Sequence, residues 1–163
     1  MEAHKTDKPS QIGRLLQYSR EDTTNTYQDI NFGNVPNFQA QNINQETGVK
    51  VNGAMKILSS HAVIHIFGTH GDDSKERPRG QKGVVDADFE LIPLIFSDYD
   101  AVKYGGKNSN GKDSIIFIKE INRHRYHLVA AASVRQGEIN LYVNTLYIKL
   151  PTQAKSNEKK PAQ

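Results

Sequence analysis

Three stretches in the last third of the chain constrain its fold most. Residues 114–121, 126–135 and 139–150 are dense in β-branched and aromatic residues, and only the short links 122–125 and 136–138 separate them. Links that short join antiparallel neighbours, so the three stretches predict a meander. A shorter run at 101–104, followed by the Gly- and Asn-rich turn 105–111, adds a fourth strand. Such a sheet must bury one face, and the preceding segments have to supply the cover.

Those segments read as helices. Ser59 or Ser60 is placed to cap a helix over 61–70, and Gly71 stops it. Val63, Ile66 and Phe67 fall at helical spacing and form its buried stripe, while His61 and His65 lie one turn apart on a neighbouring face. A second helix starts near Asp86 or Asp88 and carries Phe89, Leu91, Ile92, Ile95 and Phe96; Pro93 makes it short or kinked. Residues 11–20 predict a further short helix with Ile12, Leu15 and Leu16 on one side. Helices followed by a meander give an α+β fold, with N-terminal helices packed on a roughly four-stranded antiparallel sheet. The segment 21–45 is rich in Asn, Gln and Thr, with isolated aromatics at Tyr27, Phe32 and Phe38, a composition that favours a loop or adaptable arm. The expected organisation is a flexible or arm-like segment 1–43, a folded domain 44–150 and a disordered basic tail 151–163.

Composition narrows the function classes. At 163 residues the chain holds one domain with a real core, and 36% hydrophobic content implies that part of it does not pack. The absence of cysteine excludes disulfides, thiolate metal sites and a cysteine nucleophile. No apolar run approaches the ~20 residues of a membrane span. The N-terminus lacks the apolar core of a signal peptide, so export would need a signal on a longer parent chain or a partner. The net charge of +3 is compatible with a nucleic-acid partner; much of the excess lies at Lys155, Lys159 and Lys160.

Three features can carry chemistry. In the last strand Ile139, Leu141, Val143, Thr145, Tyr147 and Lys149 alternate onto one face, which turns from apolar to polar along its length. A face that emerges from under a helix into a cleft does this, and its hydroxyl pair and amine suit a phosphate; Thr and Tyr are also simply good strand formers. The second feature is the trio His61, His65 and His70. Imidazoles near their ordinary pKa both take and give protons at neutral pH, as attack by a ribose 2′-hydroxyl on phosphate requires. The third is Arg77-Pro78-Arg79-Gly80-Gln81, where arginine forks pair with phosphate and glycine lets the backbone come close. Arg79, Lys82, Arg135 and Lys149 are the candidate cations for a phosphorane. His61 and His65 at i and i+4 also match a zinc pair, yet no Glu follows His61 and no carboxylate cluster completes a site, so no metal is expected. His124 and His127 flank a hairpin and read as structural or surface groups.

Taken in order, Glu46-Thr47-Gly48, His65-Ile66, His70-Gly71, Arg79-Gly80-Gln81, Asp88-Phe89, Ile92-Pro93, Gly106-Lys107 with Gly111, Ser133-Val134-Arg135 and Thr145-x-Tyr147 with Lys149 resemble the phage-type branch of the barnase/EndoU/colicin/RelE-like (BECR) nucleases over roughly 44–150. The resemblance implies a metal-independent endoribonuclease, toxin-like and with tRNA as one candidate substrate, that leaves a 2′,3′-cyclic phosphate and needs no cofactor. By position it matches His65 and His70 to the family's paired histidines, Arg79 and Gln81 to its Arg-Gly-Gln loop, and Thr145 and Tyr147 to its closing hydroxyl pair. The expected catalytic set is His65, His70, Arg79, Thr145 and Tyr147, with His61, Gln81, Lys82, Arg135 and Lys149 as the substrate-binding candidates. Gln136 and Glu138 stand where the family often carries a second basic residue, which weakens the grip expected from that hairpin. The expected partners are RNA and a cognate immunity or antitoxin protein. The expected site of action is the cytoplasm, reached in a target cell as part of a larger protein. A non-catalytic nucleic-acid-binding or phage assembly module is the alternative, and a zinc hydrolase a third.

Overall fold

The computed structural model describes residues 10–21 and 28–151, so residues 1–9 and 22–27 of the expected arm, and the expected basic tail beyond Pro151, lie outside the described residues. In chain order the elements are α1 (Gln11–Glu21), β1 (Asp29–Asn34), α2 (Asn37–Thr47), β2 (Met55–Ser59), α3 (Ser60–His70), α4 (Asp73–Glu76), a 3-10 turn (Arg77–Arg79) and β3 (Gln81–Lys82). Then follow α5 (Asp86–Phe89), α6 (Ile92–Ser97), β4 (Ala101–Lys107), β5 (Asp113–Ile121), β6 (His124–Arg135) and β7 (Glu138–Lys149). The fold is α+β, as expected, but the sheet has seven strands rather than four, in the order β1-β2-β7-β6-β5-β4 with β3 pairing β7 separately.

The predicted meander is present. Asn122 and Arg123 (φ 53 and 72) turn β5 into β6, and Gln136 and Gly137 (φ 52 and 80) turn β6 into β7. Positive φ at both central residues matches the right-handed twist of the paired strands. β2 then joins β7 in parallel, Met55 opposite Asn140 and Ile57 opposite Tyr142, and β1 closes that edge antiparallel. At the other end of β7, Gln81 and Lys82 of β3 pair with Lys149 and Ile148.

Residues 10–21 and 28–43 are not an arm. Ile12, Leu15, Leu16, Ile30, Ala40 and Ile43 are buried in the same core as the sheet, because β1 extends it and α1 packs against α3. α3 follows the prediction closely: the Ser59 hydroxyl accepts from the Ala62 N–H at 3.1 Å, Gly71 follows its last residue, and Val63 and Ile66 are fully buried. The second predicted helix is two short ones, with Pro93 in the first turn of α6, where its missing N–H costs no helical bond.

One expectation about β7 is overturned. Val129 pairs with Thr145 but the next residue, Ala130, pairs with Val143, so Asn144 is an extra residue in β7. This β-bulge reverses the alternation. Leu141 and Val143 share the buried face with Leu146 and Ile148, and Thr145, Tyr147 and Lys149 point to the opposite face. The polar end of β7 is therefore no continuation of its apolar face.

Candidate active site on the open face of the sheet

The helix-covered face holds Tyr126, Leu128 and Ala130 of β6, all buried, so Arg125, His127 and Val129 point the other way. Register aligns Arg125 with Lys149, His127 with Tyr147 and Val129 with Thr145. Gln81, opposite Lys149, joins the same face. This open face carries the site.

The segment after α3 is built to deliver side chains to it. Asp72 caps α4 through the Ser74 N–H, and Asp73 accepts from the Gly83 N–H at 2.8 Å and from Arg77 at 2.9 Å. These bonds hold both carboxyls below the usual carboxylate range, that of Asp72 chiefly through Ser74 and that of Asp73 chiefly through the Gly83 amide. Gly83 passes so close to Asp73 that a Cβ would lie 2.8 Å from its backbone nitrogen. Gly80, at φ 75, ends the 3-10 turn, and its carbonyl accepts from the Leu150 N–H at 2.9 Å, which fastens the loop to the end of β7.

That scaffold turns Glu76 inward until it is wholly buried. Burying a carboxylate is costly unless it is paired and hydrogen-bonded, and Glu76 is both. Its Oε1 lies 3.0 Å from His70 Nδ1 and its Oε2 accepts from Arg79 at 3.2 Å. With Nδ1 donating to the carboxylate, a neutral His70 keeps its lone pair on Nε2.

Tyr147 links the two imidazoles. The His70 ring centroid is 5.7 Å from that of Tyr147, and His127 stacks on the phenol at 4.8 Å with 13° between the planes. His127 is only 4% exposed. Burial pushes its pKa down to about 4; the Arg125 carbonyl, 3.4 Å from Nδ1, partly opposes this, and the charges of Lys149, Lys103 and Arg125 add to it. Burial also raises the Tyr147 phenol, which stays protonated at neutral pH. Thr145 Oγ1 and Gln81 Oε1 are buried atoms without a hydrogen-bond partner among the described residues. Buried polar atoms are rarely left so, and both belong to side chains on this face.

The structure thus assembles His70, Arg79, Gln81, Thr145, Tyr147 and Lys149 from the expected set. The others lie elsewhere. His65 is exposed on α3 and makes none of the contacts that tie His70 to the cluster. His61, in the first turn of α3, faces Asp29 of β1 electrostatically. Lys82 points to the helix-covered side, where its ammonium donates to Asp88 at 2.9 Å and Tyr126 donates to the same carboxylate at 2.7 Å. Arg135 pairs with Glu138 at the far end of β6, roughly 30 Å along the strand from Arg125 at ~3.3 Å per residue. Sequence reasoning missed His127, Glu76, Arg125 and Lys103. The period-two pattern of β6 does place His127 opposite the apolar Tyr126, Leu128 and Ala130, so that signal was available; Glu76 has none. Among the described residues no three His, Asp or Glu side chains gather as metal ligands.

The sequence matches the family model described as phage-Barnase-EndoU-ColicinE5/D-RelE like nuclease3 over residues 33–156. No curated protein and no solved structure matches it.

Proposed function

The chain belongs to the phage-Barnase-EndoU-ColicinE5/D-RelE like nucleases, and from that membership we propose that it is a metal-independent endoribonuclease working through His70 and His127. The observation that carries this reading is the pair of imidazoles that both pack against the Tyr147 ring, one oriented by a buried carboxylate and the other under the charges of Lys149, Lys103 and Arg125.

In this reading a phosphodiester sits among Lys149, Arg125 and Arg79. Nε2 of His70 takes the proton of the 2′-hydroxyl, the 2′-oxygen bonds to phosphorus, and the bond to the 5′-oxygen breaks. The leaving oxygen takes a proton from His127, and the product is a 2′,3′-cyclic phosphate. His127 is neutral in the empty site, but a bound phosphate offsets the charges of Lys149, Lys103 and Arg125 and so favours its imidazolium. The site is thereby armed by its substrate. The guanidinium of Arg79 and the charges of Arg125 and Lys149 stabilise the phosphorane, and the Tyr147 phenol, in ring contact with both imidazoles, stays protonated and able to donate.

The proposal extends to tRNA as the first substrate to try, to a toxin-like role in the cytoplasm of a target cell, and to an acidic immunity protein that covers the cationic face. The test incubates the folded protein with total tRNA in excess chelator and analyses product ends. Expected are 2′,3′-cyclic phosphate ends and no cleavage of the matching 2′-deoxy strand. RNA left intact by folded protein, or cut only when a divalent metal is supplied, would overturn the reading.

A further inference from the structure

The open face does not end at the imidazoles. Register carries two rows of side chains across it: Tyr147–His127–Ile118–Ala101 and Thr145–Val129–Ile116–Lys103. Both rows begin in the site and end on β4. Three strand spacings separate their ends, roughly 14 Å at ~4.8 Å each.

Between the ends the surface is apolar. Ile116, Ile118 and Val129 are half-buried, whereas Ile115, Phe117 and Leu128, their neighbours on the helix-covered face, are fully buried. The core cluster that takes in those neighbours does not include Ile116, Ile118 or Val129. At the far end Lys103 is exposed and forms no ion pair among the described residues, yet its charge reaches His127. The face therefore offers cations at one end, an apolar floor and a further cation beyond it.

A short run of single-stranded nucleotides has the matching chemistry: a phosphate, a base whose face is apolar, and another phosphate. In a duplex the base faces are stacked away and cannot reach such a floor. We propose that Val129, Ile116 and Ile118, closed off by Lys103, form a subsite for a nucleoside next to the cut and its outer phosphate, so that the protein takes RNA as a single strand laid across β7, β6, β5 and β4. The subsite rests on the reading of Lys149, Arg125 and Arg79 as the phosphate site, but not on catalysis there.

The experiment measures binding of the whole protein to fluorescent 2′-deoxy oligonucleotides, which lack the attacking hydroxyl and stay intact. The expected result is at least tenfold tighter binding of a pentanucleotide than of a perfect duplex of the same sequence. The affinity gained on lengthening a dinucleotide to a pentanucleotide should shrink several-fold in Lys103→Ala and in Ile116→Ser, each checked for an unchanged unfolding transition. Lys103→Ala should also lower the slope of log affinity against log salt by about 0.7. Equal affinity for duplex and single strand, or an undiminished gain in both variants, would overturn the subsite. Absence of binding to any strand by the folded protein would do so too, and would leave the face to a protein partner. A parallel assay on RNA reads cleavage separately. Failure to cut, with the length-dependent binding intact, would remove the nuclease mechanism and leave the subsite standing.

Discussion

The stack of His127 on Tyr147 makes a prediction that stability itself can test. The imidazole is buried, its pKa is pushed down to about 4 in the folded protein, and an unfolded histidine titrates near 6.5. Above pH 6.5 it is neutral in both states, and the folded protein has its full stability. As pH falls from 6.5 to 4 the unfolded chain takes up a proton that the folded chain refuses, so stability drops; below 4 both are protonated and the slope from this group ends. The difference of about 2.5 pKa units corresponds to about 3 kcal/mol. His127→Phe keeps a ring against Tyr147 and removes the titration. The assay is urea unfolding at half-unit steps from pH 4 to 7, with stability differences taken between wild type and variant at each step. That subtraction cancels Asp29, raised by burial, and the depressed Asp72, Asp73 and Asp113. The wild-type advantage should shrink by about 3 kcal/mol on going from pH 7 to pH 4. A saturating 2′-deoxy dinucleotide should move the midpoint of that loss upward, because its phosphate offsets Lys149, Lys103 and Arg125. Parallel stability curves for the two proteins would refute the argument, since His127 would then titrate alike in the folded and unfolded chains.

Other substitutions separate the roles assigned to neighbouring residues. His70→Asn should lower kcat by about 10²–10⁴-fold in a tRNA cleavage assay, whereas His65→Asn, on an exposed part of α3, should leave it unchanged. Lys149→Ala should raise KM and cut the salt dependence of RNA binding by about 0.7 in slope, while Arg135→Ala, at the far hairpin, should alter neither. Lys82→Met should destabilise the fold by about 3 kcal/mol, because it leaves the buried Asp88 without its cation; the surviving folded fraction, measured by active-site titration, should retain its kcat.

Much of this architecture was legible because its signals are local. The hairpins of β5, β6 and β7 are written in strand runs and two-residue turns, and α3 in a serine cap, a stripe of Val63 and Ile66 and a following glycine. The missed elements depend on distant partners. β2 is five residues long and pairs with β7 more than eighty positions away, so nothing near Lys56 or Ile57 announces it. α2 buries only Gln39, Ala40 and Ile43 among Asn, Gln and Thr, too thin a stripe for the periodicity to register. In the candidate cluster, residue type alone puts forward Tyr147, His70, Arg79 and Gln81 but not Glu76, because a single carboxylate in a charged loop looks solvated until the fold closes over it. Arg125 and Arg135 are equivalent by composition on one strand, and only register tells which stands beside Lys149.

The bulge at Asn144 explains why the last strand can serve both core and site. With unbroken alternation, a strand that buries Leu141 and Val143 would also bury Thr145, Tyr147 and Lys149 and expose Leu146 and Ile148. Three polar side chains under the helices would need partners that the core lacks, and two large apolar ones would face solvent. The extra residue resolves both conflicts at once: Leu146 and Ile148 are fully buried, and the polar trio reaches the face that holds His127. It falls beyond the last β2 pair at Tyr142 and before the first β3 pair at Ile148, so neither flanking pairing has to absorb the irregularity. Against that same strand packs α3, whose last residue is His70. The break in the edge of β7, the reversal of its faces and the arrival of the first imidazole are thus one local arrangement, and the second imidazole is supplied by the neighbouring strand at the register position of Tyr147.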